Sequence, residues 1–296
     1  MTIIVLKPLY LVKLLMKRGA FMLNNINDVT VLNNGVKMPW IGLGVWQVEN
    51  GREVISSVKA ALKAGYRSID TAAAYGNEEG VGKALKESGI AREKLFITTK
   101  LANDNHGYEN TRKAFEDSRR RLGLEYLDLY LIHWPGKDKY KETWRAFETL
   151  YKQGLIRAIG VSNFLIHHLE NLMDGASVVP AVNQVEFHPM LVQKELRSFC
   201  RKHSIQLEAY SPLIHGNMDI PELVEIGKMH GKSPAQVILR WDLQNEVVTI
   251  PKSVHENRII ENKDVFNFEL SADEIAKIDA LNKNKRFGDD PDKLIF

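Results

Sequence analysis

The chain has 296 residues, 44% hydrophobic and 26% charged, with a formal net charge of +3. This is the composition of an ordinary soluble globular protein, and so small a charge argues against nucleic acid or an anionic membrane as the main partner. The lone cysteine, Cys200, excludes an internal disulfide and points to a reducing compartment, the cytoplasm. It has no Cys or His at ligand spacing and reads as a buried packing residue.

The first 21 residues, Met1 to Phe21, are apolar but interrupted by Lys7, Pro8, Lys13, Lys17 and Arg18. A signal peptide needs an unbroken apolar run behind its basic residues, and a membrane span needs a longer one. The expectation is a translated leader, with the natural start at Met22 and one barrel domain over 22–296. A short amphipathic membrane-surface helix is the alternative.

A hairpin is expected next, Val29–Leu32 and Val36–Met38 around a tight Asn34-Gly35 turn, placed to plug the N-terminal mouth of the fold. Then short apolar runs alternate with amphipathic segments. The strand-like runs are Ile41–Val45, Ser68–Asp70, Phe96–Thr99, Leu127–Ile132, Ala158–Val161, Ala181–Val185, Gln206–Ala209 and Val247–Ile250, which read as buried parallel strands. Helical periodicity marks Glu53–Ala64, Thr111–Leu122, Thr143–Gln153, Glu195–His203 and Ser233–Leu243. A final helix, Ser271–Leu281, carries a capping box between Ser271 and Glu274. Eight strand–helix units without a break in composition predict an α/β fold, a (β/α)8 TIM barrel, with the hairpin in front and helices behind. The rival open sheet lacks its signature, because Gly42-Leu43-Gly44 is not a dinucleotide fingerprint.

In such a barrel, reactive groups sit at the C-terminal strand ends or just beyond. Successive ends deliver Asp70 with Tyr75, then Lys100, then His133. A tyrosine is a poor acid at neutral pH, and a nearby ammonium favours its phenolate. Lys100 would tune Tyr75, Asp70 would fix Lys100, and His133 would orient a substrate oxygen or relay the proton. Taken singly, each is more often an ordinary ion pair or structural histidine; the convergence carries the functional reading. No metal site is expected. No zinc-helix spacing occurs, His167 and His168 are adjacent and point to different helix faces, and His188 and His215 read as unpaired loop residues.

The same residues resemble a known family. Arg67–Gly82 (RSIDTAAAYGNEEGVG), Arg121–Pro135 (RLGLEYLDLYLIHWP), Ala158–Phe164 (AIGVSNF) and Ile250–Val254 with Arg258, Glu261 and Asn262 resemble the signature regions of the aldo-keto reductases. The likeness runs from about Val29 to the C-terminus. It implies a catalytic tetrad of Asp70, Tyr75, Lys100 and His133, and NADPH extended across the barrel mouth. It further implies that Gly44 and Val45 contact the cofactor, that Ser162, Asn163 and Gln184 bind its carboxamide, and that Tyr210 stacks on the nicotinamide. Ser211, Pro212 and Leu213 would line the pyrophosphate. Lys252, Ser253, Val254 and Arg258 would hold the 2′-phosphate end, and Glu261 and Asn262 the adenosine.

By the same resemblance, Trp46 and Trp134 wall the substrate pocket with Tyr75 and His133. Histidine at position 133 implies carbonyl reduction rather than double-bond reduction. The pattern is most similar to small bacterial members that reduce glyoxal, methylglyoxal or diketo acids such as 2,5-diketo-gluconate. Ala102 stands where many relatives carry Trp, which loosens inference about the substrate. The short His215–Ile220 segment implies an open pocket of modest selectivity. The expected partner is a small carbonyl compound, and the expected state a monomer or weak dimer. An NADPH-binding sensor with little turnover and an unrelated metal-dependent barrel enzyme are the alternatives.

Overall fold

The computed structural model describes residues 23–136 and 139–294. The leader expected over Met1–Phe21 lies outside the described residues. No helix among those described is long and apolar enough to cross a membrane.

The described chain opens with the expected hairpin. Strands β1 (Val29–Val31) and β2 (Lys37–Pro39) pair antiparallel, with Thr30 opposite Met38. Its turn differs from the two-residue Asn-Gly type. Leu32 exchanges backbone hydrogen bonds with Gly35 and Val36, and only Gly35 has a left-handed φ, at 87°. The result is a three-residue loop ending in a glycine bulge. Three side chains then dock the hairpin. Thr30 Oγ1 donates to Gln206 Oε1, Asn33 Nδ2 to Pro180 O, and Asn34 Nδ2 to Arg157 O, at 2.9–3.0 Å. These acceptors lie at the N-terminal ends of later strands, so the hairpin covers that end of the barrel as expected.

The barrel is built from β3 (Gly42–Gly44), β4 (Ser68–Asp70), β5 (Phe96–Leu101) and β6 (Leu127–Ile132), then β7 (Ile156–Ser162), β8 (Val182–Glu186), β9 (Gln206–Tyr210) and β10 (Val248–Thr249). Each pairs in parallel with the next. Parallel bridges Ile41–Thr249 and Gly44–Lys252 join the last strand to the first and close the (β/α)8 barrel. Glycine is required at 44, because a Cβ there would stand 2.8 Å from the Ile250 carbonyl.

Between strands run α1 (Arg52–Ala64), α2 (Glu78–Glu87), α3 (Tyr108–Leu122), α4 (Tyr140–Lys152), α5 (Ile166–Met173) and α6 (Lys194–Lys202). After β9 come α7 (Pro221–His230) and α8 (Pro234–Gln244), and after β10 come α9 (Glu256–Lys263) and α10 (Ala272–Asp279). The apolar stripe of α1 is Val54, Val58, Ala61 and Leu62, and the helix stops at Gly65, whose φ is 106°. Ser233 and Ser271 cap α8 and α10, each in a reciprocal box with the residue three further on. Tyr130 of β6 turns outward and stacks on Phe147 of α4 at 4.6 Å, tying sheet to helix layer. The strands therefore form a rigid frame whose C-terminal ends hold the polar side chains.

Candidate active site

Four elements bring the first group together. Asp70 ends β4, Tyr75 follows in a short 3-10 turn (Ala73–Tyr75), Lys100 lies in β5, and His133 follows β6. Lys100 Nζ donates to Asp70 Oδ1 at 2.5 Å, to the Thr71 carbonyl at 3.0 Å and to Tyr75 Oη at 3.3 Å. Three donors meet three acceptors, as an ammonium requires. Burial favours the neutral amine, but Asp70 and Tyr75 outweigh it and hold Lys100 above the usual lysine value. The rings of Tyr75 and His133 meet edge to face, with centroids 5.6 Å apart.

Two electrostatic expectations change. Burial pushes the Tyr75 phenol up, and this outweighs the pull of Lys100, which Asp70 further opposes. Lys100 therefore moderates the phenol without bringing it below its ordinary value. Burial and the Lys100 charge push His133 down to about 3, so its imidazole is neutral at physiological pH. It can donate or accept a hydrogen bond there, but it is not an imidazolium reservoir.

A second group lies on adjoining strand ends. Ser162 Oγ donates to the Gln184 carbonyl at 2.9 Å, and Asn163 Nδ2 donates to Ser162 Oγ and to the His133 carbonyl. Tyr210 Oη donates to Asn163 Oδ1 at 2.8 Å, fixing the tyrosine ring beside these amides. Gln184 Nε2 donates to Asp70 Oδ2 and to Glu208 Oε2, each at 2.8 Å. Gln184 Oε1 is then left as an acceptor, while the Ser162 hydroxyl hydrogen and both Asn163 Nδ2 hydrogens are already directed to the Gln184 carbonyl, Ser162 Oγ and the His133 carbonyl. That free oxygen can accept one N–H of a primary carboxamide beside the Ser162 and Asn163 side chains.

The remaining expected cofactor residues divide. Lys252 and Arg258 are exposed and form no ion pair with a described residue, leaving two cations open to an anion. Ser253 Oγ accepts the His255 N–H, shaping the turn into α9. Val254 packs half-buried against the core, and Asn262 is buried. Glu261 accepts the Ser233 hydroxyl at 2.5 Å, so one of its oxygens is already engaged. Ser211 has a φ of 50° and starts a loop with Pro212 and Leu213, followed by Ile214 and His215 at 51°. A β-branched residue is strained there, and complete burial of Ile214 holds it. Gly44 and Val45 are held in the barrel wall. Their N–H groups go to Pro251 and Asp70 carbonyls, and the Val45 side chain is buried. Gly44 serves barrel closure, and the Val45 N–H ties the end of β3 to β4.

The profile of the aldo/keto reductase family matches residues 40–283. The chain belongs to the aldo/keto reductase family. It is 64% identical over 273 residues to a glyoxal reductase of Bacillus subtilis (strain 168), covering 92% of this chain and 99% of that protein. It is 50% identical over 271 residues to methylglyoxal reductase DkgA of Escherichia coli (strain K12), covering 90% and 98%. Among solved structures, a variant of Gox0644 crystallised in complex with NADPH superimposes with a TM-score of 0.87 at 46% identity. That match covers 91% of this chain and 99% of the other.

Within this aldo/keto reductase barrel, several residues acquire partners that the sequence reading misses. The tail after α10 returns across the mouth. The Phe287 and Gly288 N–H groups donate to Glu186 at 2.7 and 3.1 Å, and the Lys283 and Lys285 N–H groups to the Met190 carbonyl. Phe287 stacks on His215 at 5.6 Å, and His215 meets Trp46 edge to face at 6.1 Å. His215 is thus part of an aromatic wall with Trp46, which is 45% exposed. Trp134 stands half-buried beside His133. His188 is not an unpaired loop residue either; it is buried, with Nε2 3.0 Å from Glu186 Oε1.

His167 and His168 also depart from expectation. Both rings approach Asp292 Oδ1, at 3.0 and 3.5 Å, with centroids 4.0 Å apart. His168 Nδ1 accepts the Leu165 N–H at 3.2 Å, so its Nε2 carries the hydrogen and faces Asp292 as a donor. Such a tautomer suits a tail anchor better than a metal ligand. Cys200 is buried as expected, and burial pushes its thiol up to about 12.

Proposed function

We propose that the chain is an NADPH-dependent reductase of small aldehydes and ketones, glyoxal and methylglyoxal among them, with Tyr75 as proton donor. The observation that carries this reading is the Lys100 hydrogen bond to Tyr75 Oη. Because Nζ donates, the phenolic hydrogen remains free for an incoming oxygen. NADPH, when bound, supplies the hydride. Gln184 Oε1, Ser162 and Asn163 would hold its carboxamide, Tyr210 would stack on the nicotinamide, and Lys252 and Arg258 would grip the 2′-phosphate. Ser211–Leu213 would cover the pyrophosphate, and Glu261 and Asn262 would meet the adenosine. Trp46, Trp134, His215 and Phe287 would exclude water from the carbonyl, and neutral His133 would orient its oxygen. The names of the glyoxal and methylglyoxal reductases support the substrate class.

The direct test is loss of NADPH absorbance on mixing purified protein with glyoxal or methylglyoxal. Turnover with either compound is the expected result. No oxidation of NADPH across a panel of small aldehydes and ketones would overturn the proposal.

The cofactor assignment makes a second prediction. Hydrogen bonds to charged groups contribute about 1.5–3 kcal/mol, so Arg258→Ala should weaken NADPH binding roughly 10- to 100-fold. NADH, which lacks the 2′-phosphate, should bind wild type and variant alike. Fluorescence titration with both cofactors checks it, and parallel losses for the two would remove Arg258 from phosphate recognition.

A further inference from the structure

Glu208 is a second buried carboxyl group that the proposed chemistry leaves unused. It stands on β9 in register with Gln184 on β8, and registered residues of parallel neighbours share a face. Its side chain is fully buried, and its Oε1 has no hydrogen-bond partner among the described residues. The Gln184 amide bridges Glu208 Oε2 and Asp70 Oδ2 through its two N–H groups, each at 2.8 Å.

The titratable groups facing Glu208 are Asp70 from β4, Lys100 from β5 and the Tyr75 phenol from the turn after β4. The Lys100 hydrogens are already directed to Asp70, Thr71 and Tyr75. A second carboxylate in this dry interior would stand beside the first without a cation of its own. Burial, and then the Asp70 charge, push the Glu208 carboxyl up to about 8. A protonated Glu208 still accepts the Gln184 N–H through its carbonyl oxygen.

We propose that Glu208 is a positioning residue: as a neutral carboxylic acid it locks the Gln184 amide, keeping both N–H groups inward and Oε1 free for the cofactor carboxamide. This rests on the reading of Gln184 given above. The Asp70 contact alone leaves one N–H unanchored. Two acceptors fix both, and a flipped amide would set oxygen against the Asp70 carboxylate.

Two measurements test the proposal, and one needs no cofactor. The unfolded value of the group is near 4.5 and the folded value is raised. Its contribution to stability is therefore complete below about pH 4.5 and lost as pH rises through about 8. The melting temperature of Glu208→Gln, minus that of wild type, should grow between about pH 5 and about pH 9. A difference that is flat or shrinks over this range means that Glu208 is ionised in the fold and overturns the proposal.

The second measurement is NADPH affinity at neutral pH. Glu208→Gln retains a carbonyl acceptor and should bind within about twofold of wild type. Glu208→Ala loses it and should bind roughly 3- to 10-fold more weakly, rescued by Gln at the same position. Gln184→Ala separates the two readings. If it weakens NADPH binding while Glu208→Ala does not, the positioning role fails and the cofactor reading stands. If Gln184→Ala binds NADPH as wild type does, the carboxamide reading fails and the positioning role falls with it.

Discussion

Replacement of Tyr75 by Phe should lower turnover about 10²- to 10⁴-fold, the usual worth of a positioned general acid, while NADPH binds with nearly unchanged affinity. Phe keeps the ring that meets His133 edge to face, so the site retains its packing. What is lost is the hydroxyl that accepts from Lys100 at 3.3 Å and that, on the proposed reading, would offer its own hydrogen to substrate. The upward push on the phenol does not weaken this role. A donor to a nascent alkoxide must be protonated when hydride arrives, and the alkoxide is far more basic than a phenolate. Neutral His133 is a poorer substitute, because burial and Lys100 resist any positive charge on it. The reductive rate at saturating NADPH should therefore stay flat through neutrality and fall only in strong alkali, above the ordinary tyrosine value of 10. Stopped-flow single turnovers with methylglyoxal, paired with NADPH titration, check both parts. Wild-type turnover in Tyr75→Phe would assign the proton to another group.

The sequence exposes the barrel because parallel strands covered on both faces must be apolar. All eight runs are strands; β3, β7, β8 and β10 differ from expectation by one or two residues at both ends, and the C-terminal differences are the informative ones. Lys100, Ser162, Glu186 and Tyr210 all fall inside strands, whereas an apolar criterion stops just short of them. These are the positions where the barrel interior becomes polar. Helix α2 escaped notice for a related reason. Gly80 and Gly82 depress its helical propensity, yet a Cβ at 82 would stand 2.4 Å from the Leu122 carbonyl, so close packing of α2 on α3 dictates the residue.

The convergence of Asp70, Tyr75, Lys100 and His133 was legible because strand order alone places neighbouring strand ends together. Long-range partners were not. Phe287 meets Glu186 across 101 positions, and Glu208 reaches Asp70 only through Gln184. His215, His188 and the His167–His168 pair looked solitary because their partners come from the tail or another strand. The direction of the Tyr75 shift is hidden in the same way. Sequence names the lysine, but the depth of burial that outweighs it emerges only from packing.

Lys100→Met should cost about 3–5 kcal/mol of stability, the typical effect of removing one partner from a buried ion pair. The Lys100 side chain is fully buried, and its loss leaves Asp70 with Gln184 as its remaining side-chain partner. Burial already pushes the Asp70 carboxyl above its ordinary 3.8, and without the ammonium it must rise further. A carboxyl raised above its unfolded value loses its stabilising contribution as pH rises through the folded value. The deficit of Lys100→Met should therefore be larger at about pH 8 than at about pH 5. Urea unfolding at the two pH values, with the midpoint falling and the slope unchanged, is the measurement. Adding Asp70→Asn to Lys100→Met removes the orphaned charge and should recover most of the stability, because buried pairs replaced together are often nearly neutral. Turnover should stay low in the double variant, since nothing then polarises the Tyr75 hydroxyl. Recovery of stability and turnover together would mean that Lys100 serves only to neutralise Asp70. Recovery of stability alone separates the two roles that one ammonium holds, balancing a buried carboxylate and directing the phenolic hydrogen outward.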